Sequence, residues 1–273
     1  MTTPKTNADD AERDDVSNMA DDDVESERDE PVLGAIDTET GARGAVYALA
    51  ARAFGEPDPE LYGALADGSF DEEFATFVDH TGLAVDSPDL TVDDDRNTLA
   101  ARYNDLFVVG YSEVIDGTDG TIDNQGPPVS LYESAYRSAV SWNDVNLDLA
   151  RAYEYFGCEI DQEERRHHDH VRLELEFAGY LCRLAAADAV AGGADVDRAR
   201  LDFHDRHLTI LVTGLHDALA EEPGTSIYGR LTAFLDDFTE ADVDDLDARL
   251  DVGAGRAATA SSSDNAKNGG EGR

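Results

Sequence analysis

Glu164, His167, His168, His170 and Glu174 lie close together in the chain, and Glu164-x-x-His167 has the spacing of one half of a carboxylate–histidine metal site. A di-iron bundle needs a second Glu-x-x-His. The residues three before His80, His204, His207 and His216 are Phe77, Leu201, His204 and Thr213, so no second motif exists. A helical-bundle metalloenzyme using His167, His170 and Glu174 is therefore the alternative to a binding protein that has no metal, no cofactor and no catalytic residue of its own. On a helix, His170 and Glu174 are four apart and share a face, where they can form a simple hydrogen bond, present a polar pair to a ligand or flank a metal. Asp169 opens the same helix, and its carboxylate can cap first-turn amides, meet a ligand, or both. Tyr132-Glu133-Ser134 follows Pro127-Pro128, a stiff entry suited to anchoring a loop on the core. No Gly-rich phosphate loop ends in Lys-Ser or Lys-Thr, and no Ser/His/Asp or Cys/His arrangement can be argued from spacing.

The solvent these residues work in is written in the charge. The chain has 61 acidic and 21 basic residues, a net charge of −40, with lysine only at Lys5 and Lys267. Carboxylates hold water and hydrated cations, whereas lysine stems add apolar surface that concentrated salt drives together, so this is the bias of a protein from an extreme halophile. In about 1 M salt the Debye length is about 3 Å, so recognition must rest on close contact and buried area. No basic stripe exists to neutralise phosphates, which excludes nucleic acid as a partner. Cys158 and Cys182 form no CxxC pair and are expected reduced and buried. The acidic N-terminus has no signal-peptide pattern, Arg165-Arg166 lacks a following apolar region, and no apolar run reaches the length of a membrane span. A cytoplasmic protein without stable membrane insertion is expected.

The elements that position the candidate residues are helical almost throughout. Residues 1–36 are an acidic tail expected to be disordered, 37–250 an all-helical domain, and 251–273 a second disordered tail poor in apolar residues. Asp37 and Thr38 can cap a helix carrying Val46, Leu49 and Ala53 and ending at Gly55, and Asp58-Pro59 starts the next. Phe74 and Phe77 mark a third helix, and Leu99, Tyr103 and Leu106 a fourth. After a Gly-, Asp- and Thr-rich loop over 110–128, Leu131, Ala135 and Ala139 restart a helical face, and Val145 to Phe156 give another stopped by Gly157. A long helix is expected from Asp169 to about Val190. Phe203, His207, Leu211 and Leu215 follow, then Tyr228 to Phe238. No segment alternates as a strand, and no period of 30 to 45 residues recurs. The fold expected is all-α, a single-domain bundle of about nine or ten helices.

Two passages carry a resemblance. Pro127-Pro128-Val129-Ser130-Leu131-Tyr132-Glu133-Ser134-Ala135-Tyr136 is similar to the Pro-Tyr-Glu-Ser-Val-Tyr signature of the TorD/DmsD family of molybdoenzyme maturation chaperones, with Tyr103, Leu106 and Phe107 matching the residues upstream of it. Asp169-His170-Val171-Arg172-Leu173-Glu174-Leu175-Glu176-Phe177 resembles the family's Asp-His followed by Glu-Leu and an aromatic residue. The resemblance implies a TorD-like cytoplasmic chaperone, monomeric or a domain-swapped dimer. Its partner would be a DMSO- or TMAO-reductase-like molybdopterin oxidoreductase subunit, bound through its twin-arginine leader and in its apo form while cofactor is inserted and export delayed. It points to Asp169, His170, Glu174, Tyr132, Glu133 and Ser134 as leader-binding candidates. Glu133 stands out among them, because bidentate carboxylate–guanidinium pairing survives high salt.

Overall fold

Asp37 sets the first helix: one carboxylate oxygen accepts the amide of Thr40 (3.1 Å) and the other its hydroxyl (2.7 Å). The computed structural model describes residues 36–110, 112–114, 122–124, 126–160, 167–188 and 194–267, with side chains described to 251 except in 112–114 and 122–124 and at 188 and 194. Apart from Ile36, the tail expected over 1–36 lies outside these residues. Helix α1 (Thr38–Ala53) is followed by α2 (Pro59–Ala66), where Asp58 caps the amides of Glu60 and Leu61 and Pro59 holds the first position, as its spacing predicts. Then come α3 (Ser69–Asp79) and α4 (Arg96–Phe107). A short antiparallel hairpin, β1 (Ser112–Val114) and β2 (Ile122–Asn124), occupies what reads as loop in the sequence. It is the one paired sheet among the described residues.

The helix expected at Leu131–Ala139 does not form. Tyr132 is extended (φ −119°, ψ 130°), and only a 3-10 turn, Glu133–Tyr136, follows before α5 (Trp142–Tyr155). Leu131 is held in a bridge to a distant segment, which overrides its local helical spacing. Gly157 (φ 72°) then turns the chain out of α5 as expected.

Helix α6 (Val171–Asp188) packs antiparallel on α1, with the Asp37 amide donating to the Ala186 carbonyl (3.2 Å). The backbones come close at Gly44 and Gly179: a Cβ on Gly44 would sit 2.9 Å from the Gly179 carbonyl oxygen, and one on Gly179 would sit 2.8 Å from that of Gly44. Backbone atoms cannot give way as a flexible side chain does. Gly179→Ala is therefore expected to cost about 1–3 kcal/mol, read as a lower denaturation midpoint with helicity retained. An unchanged midpoint would show that the two helices can part freely.

Helix α7 (Ala194–Phe203) runs into a π turn, His204–Leu208, whose i→i+5 bonding is closed by the Thr209 amide on the His204 carbonyl, and α8 (Thr209–Glu221) continues from it. The last helix, α9 (Ile227–Lys267), runs through the boundary expected at 250. Residues 268–273 of the expected second tail lie outside the described residues. The core is continuous through the bundle, with Phe54, Tyr103, Phe107 and Tyr228 forming one aromatic group and Tyr47, Phe74, Phe234 and Phe238 another. Cys182 is buried and free, its thiol pushed up to about 12 chiefly by burial, while Cys158 is free and only half-buried, short of the burial expected for it.

A buried ion network ties α1, α7 and α9 together. Asp242, fully inaccessible, accepts from Arg43 (3.0 Å), from Arg200 at both oxygens (2.9 and 3.1 Å) and from the Tyr47 hydroxyl (3.0 Å), with His204 Nε2 3.4 Å away. Burial alone would raise its pKa, yet the His204 hydrogen bond and the Arg200 and Arg43 charges outweigh burial and hold it far below the usual carboxylate range.

Candidate functional site

The two family-like passages, far apart in sequence, are bonded to each other. The Glu133 amide donates to the Asp169 carbonyl (2.9 Å) and the Val171 amide to the Leu131 carbonyl (2.8 Å), so that Tyr132 and His170 form an antiparallel bridge. Asp169 does not cap its own helix. Its Oδ2 accepts the Ser134 amide (3.2 Å), satisfying the free end of the 3-10 turn, and its Oδ1 accepts from Asn146 Nδ2 (3.0 Å) on α5. His170 takes the capping place instead, its Nδ1 accepting the Arg172 amide (3.2 Å). Tyr132 and Ser134 are half-buried, and the Tyr132 ring meets His170 and His167 edge-on at 5.1 and 5.8 Å.

Glu133, Asp169 and Glu174 are all fully inaccessible and lie beneath the surface rather than on it. Three carboxyls buried side by side cannot all ionise cheaply. Burial first, then the Glu133 and Asp169 charges, push the Glu174 carboxyl well above the ordinary glutamate range. Neither Glu174 oxygen has a hydrogen-bond partner among the described residues. Glu133 accepts from His207 Nδ1 (2.9 Å) and from Arg137. The Tyr153 hydroxyl, buried against the same group, is raised by burial and by Glu174, Glu133 and Asp169, and donates to the His168 carbonyl (2.9 Å).

His167, His170 and Glu174 do not assemble as ligands. Glu174 is fully buried, and His167 stacks edge-on against Trp142 at 4.9 Å. Among the described residues no group of three or more His, Cys, Asp or Glu is placed to hold a metal ion; Glu164 lies outside them.

What reaches the surface from this enclosure is Asp148. His207 is buried, with Nδ1 on Glu133 and Nε2 on Asp148 Oδ2 (3.2 Å), so a chain of contacts runs Glu133–His207–Asp148 from the core to solvent. Asp148 sits in a concavity of about 520 Å³ between α5 and the π turn, with Val140, Leu147 and Ile210 as its apolar wall. It continues toward Tyr155, Phe156 and Asp202 in a second concavity that shares Asp148, Arg151, Arg206 and His207. Leu147, Trp142 and Tyr155, exposed to 49%, 47% and 83%, leave α5 with large apolar side chains in water. Asp148, Arg206 and Leu147 were not singled out by sequence. The spacing of four through Phe203, His207 and Leu211 reports only a buried face and does not point to them.

The chain belongs to the nitrate reductase delta subunit family, whose model matches residues 67–210, just over half of it. That span carries both passages, Asp148 and the π turn. Three curated relatives are similar. The selenate reductase assembly chaperone protein of Thauera selenatis is 34% identical over 54% of this chain and 69% of its own. The chlorate reductase assembly chaperone protein of Ideonella dechloratans is 33% identical over 49% of this chain and 64% of its own, just under two thirds. The dimethyl sulfide dehydrogenase assembly chaperone protein of Rhodovulum sulfidophilum is 30% identical over 80% and 85%. No described helix is long and apolar enough to cross a membrane.

Proposed function

We propose that this chain is a cytoplasmic assembly chaperone that binds the twin-arginine leader and the apo form of a molybdenum-containing oxidoreductase subunit, assists cofactor insertion and delays export. Its action is binding rather than catalysis, and release follows once the loaded client no longer offers the same contacts. The observation that supports it best is the groove between α5 and the π turn, where exposed apolar side chains flank a carboxylate, Asp148, that is held from beneath by His207 and Glu133. A leader offers a guanidinium next to an apolar run, and this surface offers the complement of both. The relatives' names support the chaperone part and differ in client, which fits a shared scaffold with a variable groove. In this reading Tyr132, Glu133, Ser134, Asp169, His170 and Glu174 position the groove from below instead of touching the leader. The net charge of −40 supports work in a salt-rich, halophilic cytosol.

The test is retention of partners on tagged protein in multimolar KCl, followed by titration of a leader peptide. A molybdopterin-family subunit still carrying its leader should be recovered. Asp148→Asn should weaken leader binding by about tenfold or more, the size of one lost charge-assisted hydrogen bond, while the melting curve stays put. Failure to recover any such subunit, or equal affinity in the variant, would remove the groove from this role.

A further inference from the structure

We propose that Arg206 is a built-in competitor for this groove: its guanidinium occupies the carboxylate that an incoming arginine must reach, so the ligand binds by exchanging one guanidinium for another. The inference rests on the reading of the groove as a receptor for an arginine-bearing apolar segment. Arg206 sits in the π turn with its side chain 51% exposed, and pairs with Asp148 Oδ2 from α5 and with Asp202 Oδ2 from α7 (3.2 Å to the latter). The guanidinium is thus shared between two carboxylates across the groove wall, the geometry in which the planar fork outperforms an ammonium.

The backbone under this side chain is fixed. Arg137 donates to the Arg206 carbonyl and also to Glu133, and His207, the next residue, is clamped between Glu133 and Asp148. The Arg206 side chain can therefore swing into solvent without the turn moving. Asp148 does not follow it, because His207 Nε2 still holds the same oxygen. An empty, pre-positioned carboxylate is left facing the apolar wall. A competitor of this kind lowers affinity without closing the groove, since an ion pair between half-exposed groups is weak. It also discriminates: an apolar segment without arginine recovers nothing for the pair it breaks, and a lysine recovers less of the shared fork than an arginine does.

The experiment titrates the full-length protein with two synthetic leader peptides, one with Arg-Arg before an apolar run and one with Lys-Lys, using wild type, Arg206→Ala, Arg206→Gln and Arg96→Ala. Arg96 is exposed at the start of α4, outside the groove, so it reports simple loss of positive charge. Both Arg206 variants should bind the Arg-Arg peptide about two- to fivefold more tightly, with the Arg-Arg over Lys-Lys preference reduced and the Arg96 variant unchanged. If wild type binds and the Arg206 variants bind equally or more weakly, or the Arg96 variant gains as much, Arg206 is no competitor although the receptor reading stands. If no form binds either peptide, the receptor reading falls and this inference with it.

Discussion

Asp242→Ala is expected to lower the unfolding free energy by about 3–5 kcal/mol. The substitution leaves Arg43 and Arg200, 2% and 1% exposed, without the carboxylate that both of them share. Arg43 keeps the Thr81 carbonyl and Asp245, and Arg200 keeps Asp197, so the loss is partial for each cation and the fold should survive at low temperature. Surface ion pairs fade in multimolar salt, whereas this one is sealed from solvent, and the deficit should persist there. The pH profile gives an independent check. Asp242 is held below its unfolded value of 3.8, so its contribution is complete above that value and is lost as pH falls through the lower folded one. Wild type and variant should therefore converge in acid and stand apart at neutral pH. A constant gap across the acid range would show that the network's value lies in packing and not in charge.

Glu174→Gln should reverse the usual expectation for a lost acid and leave the protein at least as stable at neutral pH. Glu174 is held above its unfolded value of 4.5 by burial and by Glu133 and Asp169, so between that value and the higher folded one the native state binds a proton that the unfolded chain does not. Its contribution is complete below 4.5 and declines as pH rises, with a slope approaching about 1.4 kcal/mol per pH unit in that window. Glutamine has nearly the same shape and cannot ionise, so the slope disappears. Chemical denaturation of both forms from pH 4 to 8 should show wild type losing ground to the variant as pH rises. Parallel curves would mean that Glu174 is ionised in the native state and that the enclosure is wetter than its burial implies.

The helical elements were legible because their causes are local. Asp37, Asp58-Pro59 and Gly157 act on amides and turns within a few residues of themselves, and apolar periodicity reports which face is buried. Leu131, Ala135 and Ala139 misled for the same reason. Their spacing is helical, but the Leu131 carbonyl is taken by Val171, a partner that no local window contains. The hairpin at Ser112–Val114 and Ile122–Asn124 was hidden by strands of three residues, too short to alternate visibly.

The candidate site divides along the same line. Sequence alone determined the helical class, the acidic composition, the residue types at Glu133, Asp169, His170 and Glu174, and the family resemblance that made them worth following. Tertiary structure decided that these residues form one buried group, that Asp148 and Arg206 present it to solvent, and that Asp242 joins helices from opposite ends of the chain. Whether a carboxyl is charged, paired or exposed depends on the groups within a few ångströms of it in space. Those neighbours come from segments tens to hundreds of residues away, and only the folded chain brings them together.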